Sequence, residues 1–219
     1  MFRLILLLAF TPLFSCADGD GDGLVNSAFI KNTLTHKTRW SSLHAAHGED
    51  LGAGMLYYGL VYANKAKLCV CLGSGDGFVP RVLRQAQRDL NLSDSKTILV
   101  DGNIGMFGRP VWLNQKSFFR QQYPEIEIII DTTANVAKNH AVEWTIDYLH
   151  IDADRTVTGA LQDFLDYVPY MSQEGTIILH DVGPGRPCAV AAAMIKEMGY
   201  PMVLYESLGT GIAVIRLKG

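Results

Sequence analysis

The reading turns on Leu68-Cys-Val-Cys-Leu-Gly-Ser-Gly-Asp-Gly-Phe-Val-Pro-Arg-Val-Leu83. Leu68 to Leu72 make an apolar run of strand length, which stops at Gly73, Gly75 and Gly77, spaced two apart. Beyond them Phe78, Val82 and Leu83 recur at helical spacing. The order is strand, tight glycine turn, helix. Glycine accepts positive φ and lets a ligand approach backbone amides with no Cβ in the way.

Working outward, the same alternation repeats. A helix is expected over Glu49 to Asn64, a helix over Gly77 to Asp89, and a short strand over Thr97 to Asp101. A helix within Phe107 to Tyr123 precedes a strand over Glu125 to Ile130. A helical piece over Ala134 to His140 leads to a strand over Thr145 to Asp152, and a helix covers Thr156 to Tyr170. Thr176 to Asp181 reads as the fifth strand, opened by Gly175, and Arg186 to Met198 as an alanine-rich helix. Met202 to Tyr205 and Ile212 to Leu217 then read as two strands joined across Gly209 and Gly211. The strands are apolar on both parities, as in a parallel sheet covered by helices on both faces. The fold class is therefore α/β, a doubly wound and mostly parallel seven-stranded sheet closed by an antiparallel C-terminal hairpin.

The chain has 219 residues, 48% of them hydrophobic, with a net charge of -3. That suffices for one sizeable core at 49–219. Near-neutral charge without a basic block argues against a nucleic-acid partner. No run of about 20 apolar residues is present, so no transmembrane helix is expected. Residues 1–17 read as a signal peptide: Arg3, then Leu4 to Phe10, then Ser15 and Ala17 before a cut. Export through the secretory pathway, or a lipid anchor at Cys16, follows from that segment; cytoplasmic residence is the alternative. Residues 18–48 read as a leader, with Asp18, Asp20 and Asp22 an acidic linker because Phe29 stands where a calcium loop needs a carboxylate. Cys69, Cys71 and Cys188 are expected to be buried free thiols.

In such a sheet, ligands bind beyond the carboxyl ends of the strands. Those ends carry the glycine turn, Asp101, Asp152 and His180-Asp181. The glycine turn can cradle the polar part of a nucleotide-like ligand. Asp101 can accept both hydroxyls of a ribose, or serve simply as a turn residue.

Gly73-Ser-Gly-Asp-Gly77, Asp101, the acid-ended fourth strand and the terminal hairpin resemble a class I S-adenosylmethionine-dependent methyltransferase. Ile151-Asp-Ala-Asp154, Asp163, Gly175 and Ile178-Leu-His-Asp181 resemble, more narrowly, the small-molecule O-methyltransferase group that includes sugar methyltransferases and cephalosporin-hydroxylase-like proteins. The resemblance covers about residues 50 to 219. It implies that Gly73, Ser74 and Gly75 lie against the methionine part of S-adenosylmethionine, that Asp101 holds the ribose, and that Asp131, Thr132 and Thr133 approach the adenine. It also implies a divalent ion, magnesium first, on Asp152, His180 and Asp181, although an imidazole leans toward zinc, manganese or iron. The partner is a small-molecule acceptor lined by the leader, Gly105 to Trp112 and Gly183 to Pro187; a homo-oligomer is left open.

Two positions depart from the family pattern. Cys71 stands where an acid is usual, and Arg155 stands where metal-dependent relatives carry a histidine or lysine base. Arg155 stays protonated and can only hold an anion or an alkoxide. Asp154 or His150 is then the candidate base, although a histidine inside a strand such as His150 reads more readily as a core residue. The alternatives are a binding protein of the same fold without catalysis and a nicotinamide dehydrogenase, whose fingerprint wants glycine where Phe78 stands.

Overall fold

The computed structural model describes residues 25–73, 75–102 and 114–217. The expected signal peptide, the acidic run, Ser74 and the stretch from Gly105 to Trp112 lie outside the described residues. Seven strands form one sheet in the order β3-β2-β1-β4-β5-β7-β6. They are β1 Leu68–Leu72, β2 Lys96–Val100, β3 Glu127–Ile129, β4 Ile146–Ile151, β5 Met171–His180, β6 Met202–Tyr205 and β7 Ile212–Arg216. The first five pair in parallel, and β7 runs antiparallel between β5 and β6. The sheet is thus the expected one. Only β5 is longer than predicted: Met171 already pairs with Ile146, and an irregularity before the Tyr148–Thr176 pair hides the continuity from a period-two reading.

The helices are α1 Ser27–Phe29, α2 Ala53–Ala63, α3 Phe78–Asp89, α4 Phe118–Gln122, α5 Thr133–Asn139, α6 Val157–Tyr167 and α7 Pro187–Glu197. Alternation along β1 sends Cys69 and Cys71 to one face and Val70 and Leu72 to the other. The first pair packs with Tyr57, Val61, Phe78 and Val82 from α2 and α3. The second packs with Phe164, Tyr167, Ala191 and Ile195 from α6 and α7. Both layers are sealed, which is why β1 is apolar throughout. Cys69, Cys71 and Cys188 are buried free thiols as expected.

Residues 25–48 carry no readable period, yet they are part of the core. Ile30, Leu34 and Ala46 join the layer over α2 and α3. Buried Arg81 of α3 donates to the carbonyls of Thr33 and His36 at 3.1 and 2.8 Å. Asp76 accepts from the backbone amides of Arg39 and Trp40. The amide of Thr210 donates to Leu43 O at 2.9 Å. Backbone carbonyls and amides, invisible to side-chain patterning, therefore fasten this segment over the carboxyl edge of the sheet. Among the described residues no helix is long and apolar enough to cross a membrane.

Candidate active site

The order of strands reverses between β1 and β4, whose crossovers run to opposite sides; a crevice at the carboxyl edge belongs there. The ends stay in register: Gly73 N donates to Val100 O at 2.9 Å, Asp152 N to Leu72 O at 2.9 Å, and Asp101 N to Ile129 O at 3.1 Å. Consequently Gly73, Asp101 and Asp152 stand along one edge.

The glycines divide by role. Gly73 has φ 77, and a Cβ there would come to 2.8 Å from the carbonyl carbon of Asp152 and 2.9 Å from Ala153 Cα. Gly77 has φ 89 and faces the ring of Phe119. Both are required by close packing. Gly75 is exposed, and a Cβ there would sit at an ordinary 3.6 Å from the Trp40 side chain. It is the glycine left open to a ligand. Cys71, in the place of the expected acid, is buried, and its thiol donates to Gly73 O at 3.0 Å, so it braces the turn from below.

Asp101 is half-buried just after β2. Thr132 is the N-cap of α5, and Asp131 just before it is bonded to the same turn. Asp131 Oδ1 accepts from Thr132 N at 2.7 Å and Asn135 Nδ2 at 2.9 Å, and Thr132 Oγ1 accepts from Asn135 N at 3.2 Å. The hydrogen bonds from Asn135 and from the Thr132 amide hold the Asp131 carboxyl below its usual range. Asp154 accepts from Thr156 N at 3.0 Å at the entry to α6 and is exposed.

Asp152, Arg155, His180 and Asp181 form one charged cluster. Arg155 Nε lies 3.0 Å from Asp152 Oδ1 and 3.1 Å from Asp181 Oδ2, so the guanidinium clasps both acids. Arg186 Nη1 reaches Asp181 Oδ1 at 3.1 Å. Asp181 takes φ 62, a left-handed conformation that aspartate bears better than most residues, and its side chain is nearly wholly buried. His180 Nδ1 is 3.2 Å from Asp152 Oδ1, but without hydrogen-bond alignment. Burial alone would raise the Asp152 carboxyl; His180 and Arg155 outweigh it and hold it well below the carboxylate range. An open groove of about 530 Å³, lined by Val157 and by Gly185 to Pro187 among others, runs beside Arg186.

His44 completes the cluster, and sequence reasoning missed it. Its ring stacks on His180 with centroids 4.1 Å apart, and its Nε2 is 3.9 Å from Asp152 Oδ2. Nδ1 is 3.0 Å from the Tyr57 hydroxyl. The three mutually close ligand atoms among the described residues thus come from His44, Asp152 and His180, whereas Asp181 is turned to the two arginines. Nothing in Ser41-Ser-Leu-His44 marks it; the contact spans over a hundred residues. Burial, then the neighbouring His180, push the His44 imidazole well below its ordinary value, so it stays neutral.

His150, in the interior of β4, is fully buried, both ring nitrogens lack a hydrogen-bond partner, and burial pushes it down to about 3. The unfolded chain takes up a proton there below about pH 6.5, while the folded chain does not until near 3. Stability from this residue is therefore present above 6.5 and lost as pH falls, by about 2 kcal/mol between pH 7 and 5. Asp163, raised to about 6 by burial, titrates in the opposite sense but does so with or without His150. Denaturant unfolding at the two pH values should show a larger loss in the native chain than in His150→Phe, by that amount; equal losses would contradict neutral burial.

Residues 70–182, just over half of the chain, match the family model described as "Methyltransferase domain". Three solved structures share the fold. An O-methyltransferase from Bacillus cereus in complex with SAH is 13% identical, covering 87% of this chain and 96% of its own, at a TM-score of 0.58. The O-methyltransferase TomG from Streptomyces achromogenes, involved in tomaymycin synthesis and bound to SAM, is 13% identical with 90% and 97% covered and a TM-score of 0.58. An SAH-bound methyltransferase from Podospora anserina is 16% identical, with 78% and 79% covered and a TM-score of 0.55. No curated protein sequence matches the chain. With the sheet order, the glycine turn and the family match in agreement, the chain belongs to the methyltransferase domain family.

Proposed function

We propose that this protein transfers the methyl group of S-adenosylmethionine to a hydroxyl of a small molecule. The observation that carries the reading is the placing of Gly75, Asp101, Asp152 and His180-Asp181 at the carboxyl ends of four neighbouring strands, on either side of the crossover. SAM- and SAH-bound relatives of the same fold support the choice of cofactor. The open turn at Gly75 receives the methionine part, with Gly73 keeping that turn tight. Asp101 accepts from the ribose hydroxyls, and the turn at Asp131 and Thr132 borders the adenine. S-adenosylmethionine supplies an electrophilic methyl, so the protein's task is chiefly to align an acceptor oxygen and stabilise its charge.

Arg155 suits the second task. Held between Asp152 and Asp181, it presents a fixed cation to an alkoxide or phenolate, and the exposed carboxylate of Asp154 takes the proton. Asp152 and His180 would hold a divalent ion, which would supply Lewis acidity to lower the pKa of the acceptor hydroxyl. Incubating the protein with S-adenosylmethionine, magnesium or manganese, and a panel of sugars, catechols and phenols is expected to release S-adenosylhomocysteine with at least one acceptor class. Cofactor binding without turnover on any acceptor would favour the non-catalytic alternative.

A further inference from the structure

We propose that His44, Asp152 and His180 bind a divalent transition ion of the zinc, manganese, iron(II) and cobalt(II) class, with the N-terminal segment contributing one of the ligands. The inference rests on the methyl-transfer reading only in what the ion would do, not in whether it binds. It also replaces Asp181 by His44 in the ligand set.

Three observations carry it. One ligand atom from each residue lies within 4.8 Å of the others, and all three side chains are nearly enclosed. A tetrahedral ion with bonds of about 2.0–2.1 Å needs ligand atoms ~3.4 Å apart, so closing the set takes about an ångström of side-chain movement. Next, each imidazole has its far nitrogen against a hydroxyl: His44 Nδ1 on Tyr57 at 3.0 Å, His180 Nε2 on Thr210 Oγ1 at 3.2 Å. Such outer partners fix ring orientation and tautomer in metal sites. Finally, His180 Nδ1 faces Asp152 with no hydrogen-bond partner, although His180 is 1% exposed. A polar atom so deeply buried is expected to be satisfied, and an ion at that place satisfies it.

The donor set decides the class of ion. Two imidazoles with one carboxylate suit zinc, iron or manganese; magnesium demands oxygen and keeps its waters. Arg155 bonds Asp152 Oδ1, leaving Oδ2 on the side of His44. Three protein ligands leave positions for water or an acceptor oxygen. Because His44 belongs to the segment fastened over the crevice, the ion would also clip that segment to the ends of β4 and β5.

The full chain, stripped with a chelator, is titrated with Co²⁺, whose visible absorption reports a nitrogen–oxygen site of low coordination number. Co²⁺ is expected to bind stoichiometrically, to be displaced by equimolar Zn²⁺, and to resist a large excess of Mg²⁺. His44→Ala and His180→Ala should each weaken Co²⁺ binding roughly 100-fold or more, and Asp181→Asn by less than about tenfold. Unchanged Co²⁺ affinity in His44→Ala, or Mg²⁺ competing as well as Zn²⁺, would overturn the proposal. Should His44→Ala fail to fold, X-ray absorption of the Zn²⁺-loaded native chain decides: two imidazoles support the site, and one or none refutes it. Calorimetry with S-adenosylmethionine on the same samples separates the two readings. Cofactor binding without Co²⁺ binding removes only the metal site, and the reverse removes only methyl transfer.

Discussion

Asp152→Asn is expected to lower methyl transfer by about 10²–10³-fold, the scale for losing one preorganised electrostatic element, while leaving affinity for S-adenosylmethionine within a few fold. Asp152 is where the cluster converges: Arg155 at 3.0 Å, His180 at 3.2 Å and His44 at 3.9 Å all face its carboxylate. Removing that charge leaves Arg155 held from one side only and strips the one acid from the candidate ion site. The proposed cofactor contacts lie elsewhere, at Gly75 and Asp101. Because breaking a buried pair costs about 3–5 kcal/mol when a partner is left uncompensated, the melting temperature belongs beside the kinetics. Losing cofactor affinity and activity together would mean that Asp152 merely holds the crossover in shape.

Gly73→Ala is the second large effect, and it falls on the fold rather than the chemistry. A left-handed φ costs an L-residue about 1–2 kcal/mol, and the added Cβ would press on the backbone of Asp152 and Ala153, which cannot rotate away. A total near 3 kcal/mol or more lowers the melting temperature by roughly 6–12 °C in a domain of this size and should abolish cofactor binding with it. Gly75→Val is the informative contrast. Gly75 also has positive φ, 53, but a Cβ there would only reach ordinary contact with the Trp40 side chain at 3.6 Å. Its loss in stability should stay near the conformational cost alone, about 1–2 kcal/mol, while cofactor affinity drops. Equal effects on folding from both substitutions would contradict the division between a packing glycine and a ligand-facing one.

Much of this architecture was legible because its signals are local. Leu68 to Leu72 is apolar on both parities since both faces are covered, and the sequence around Asp101 and Asp152 changes from apolar to acidic where the sheet ends. The closing hairpin was legible from Gly209 and Gly211. What stayed hidden depends on contacts between distant residues. His44 lies in a stretch without a period, and bonds from distant Arg81, Asp76, Thr210 and Tyr57 bring it to the crevice. Asp181 reads as a metal acid by its position after β5, yet it is occupied by Arg155 from the connection after β4 and by Arg186 from its own loop, and side-chain pairing within a loop leaves no periodic signal. Asp131 and Thr132 read as cofactor neighbours, yet Thr132 caps α5 and Asp131 bonds the same turn, a role that sequence position alone does not separate from binding.

The central claim is that the crossover edge receives S-adenosylmethionine through Gly75 and Asp101, and calorimetry tests it most directly. The native chain is expected to bind S-adenosylmethionine or S-adenosylhomocysteine, and Asp101→Ala to bind about ten- to a hundredfold more weakly, the equivalent of the roughly 1.5–3 kcal/mol that hydrogen bonds to a charged group contribute. No binding by the native chain, or undiminished binding by Asp101→Ala, would contradict it.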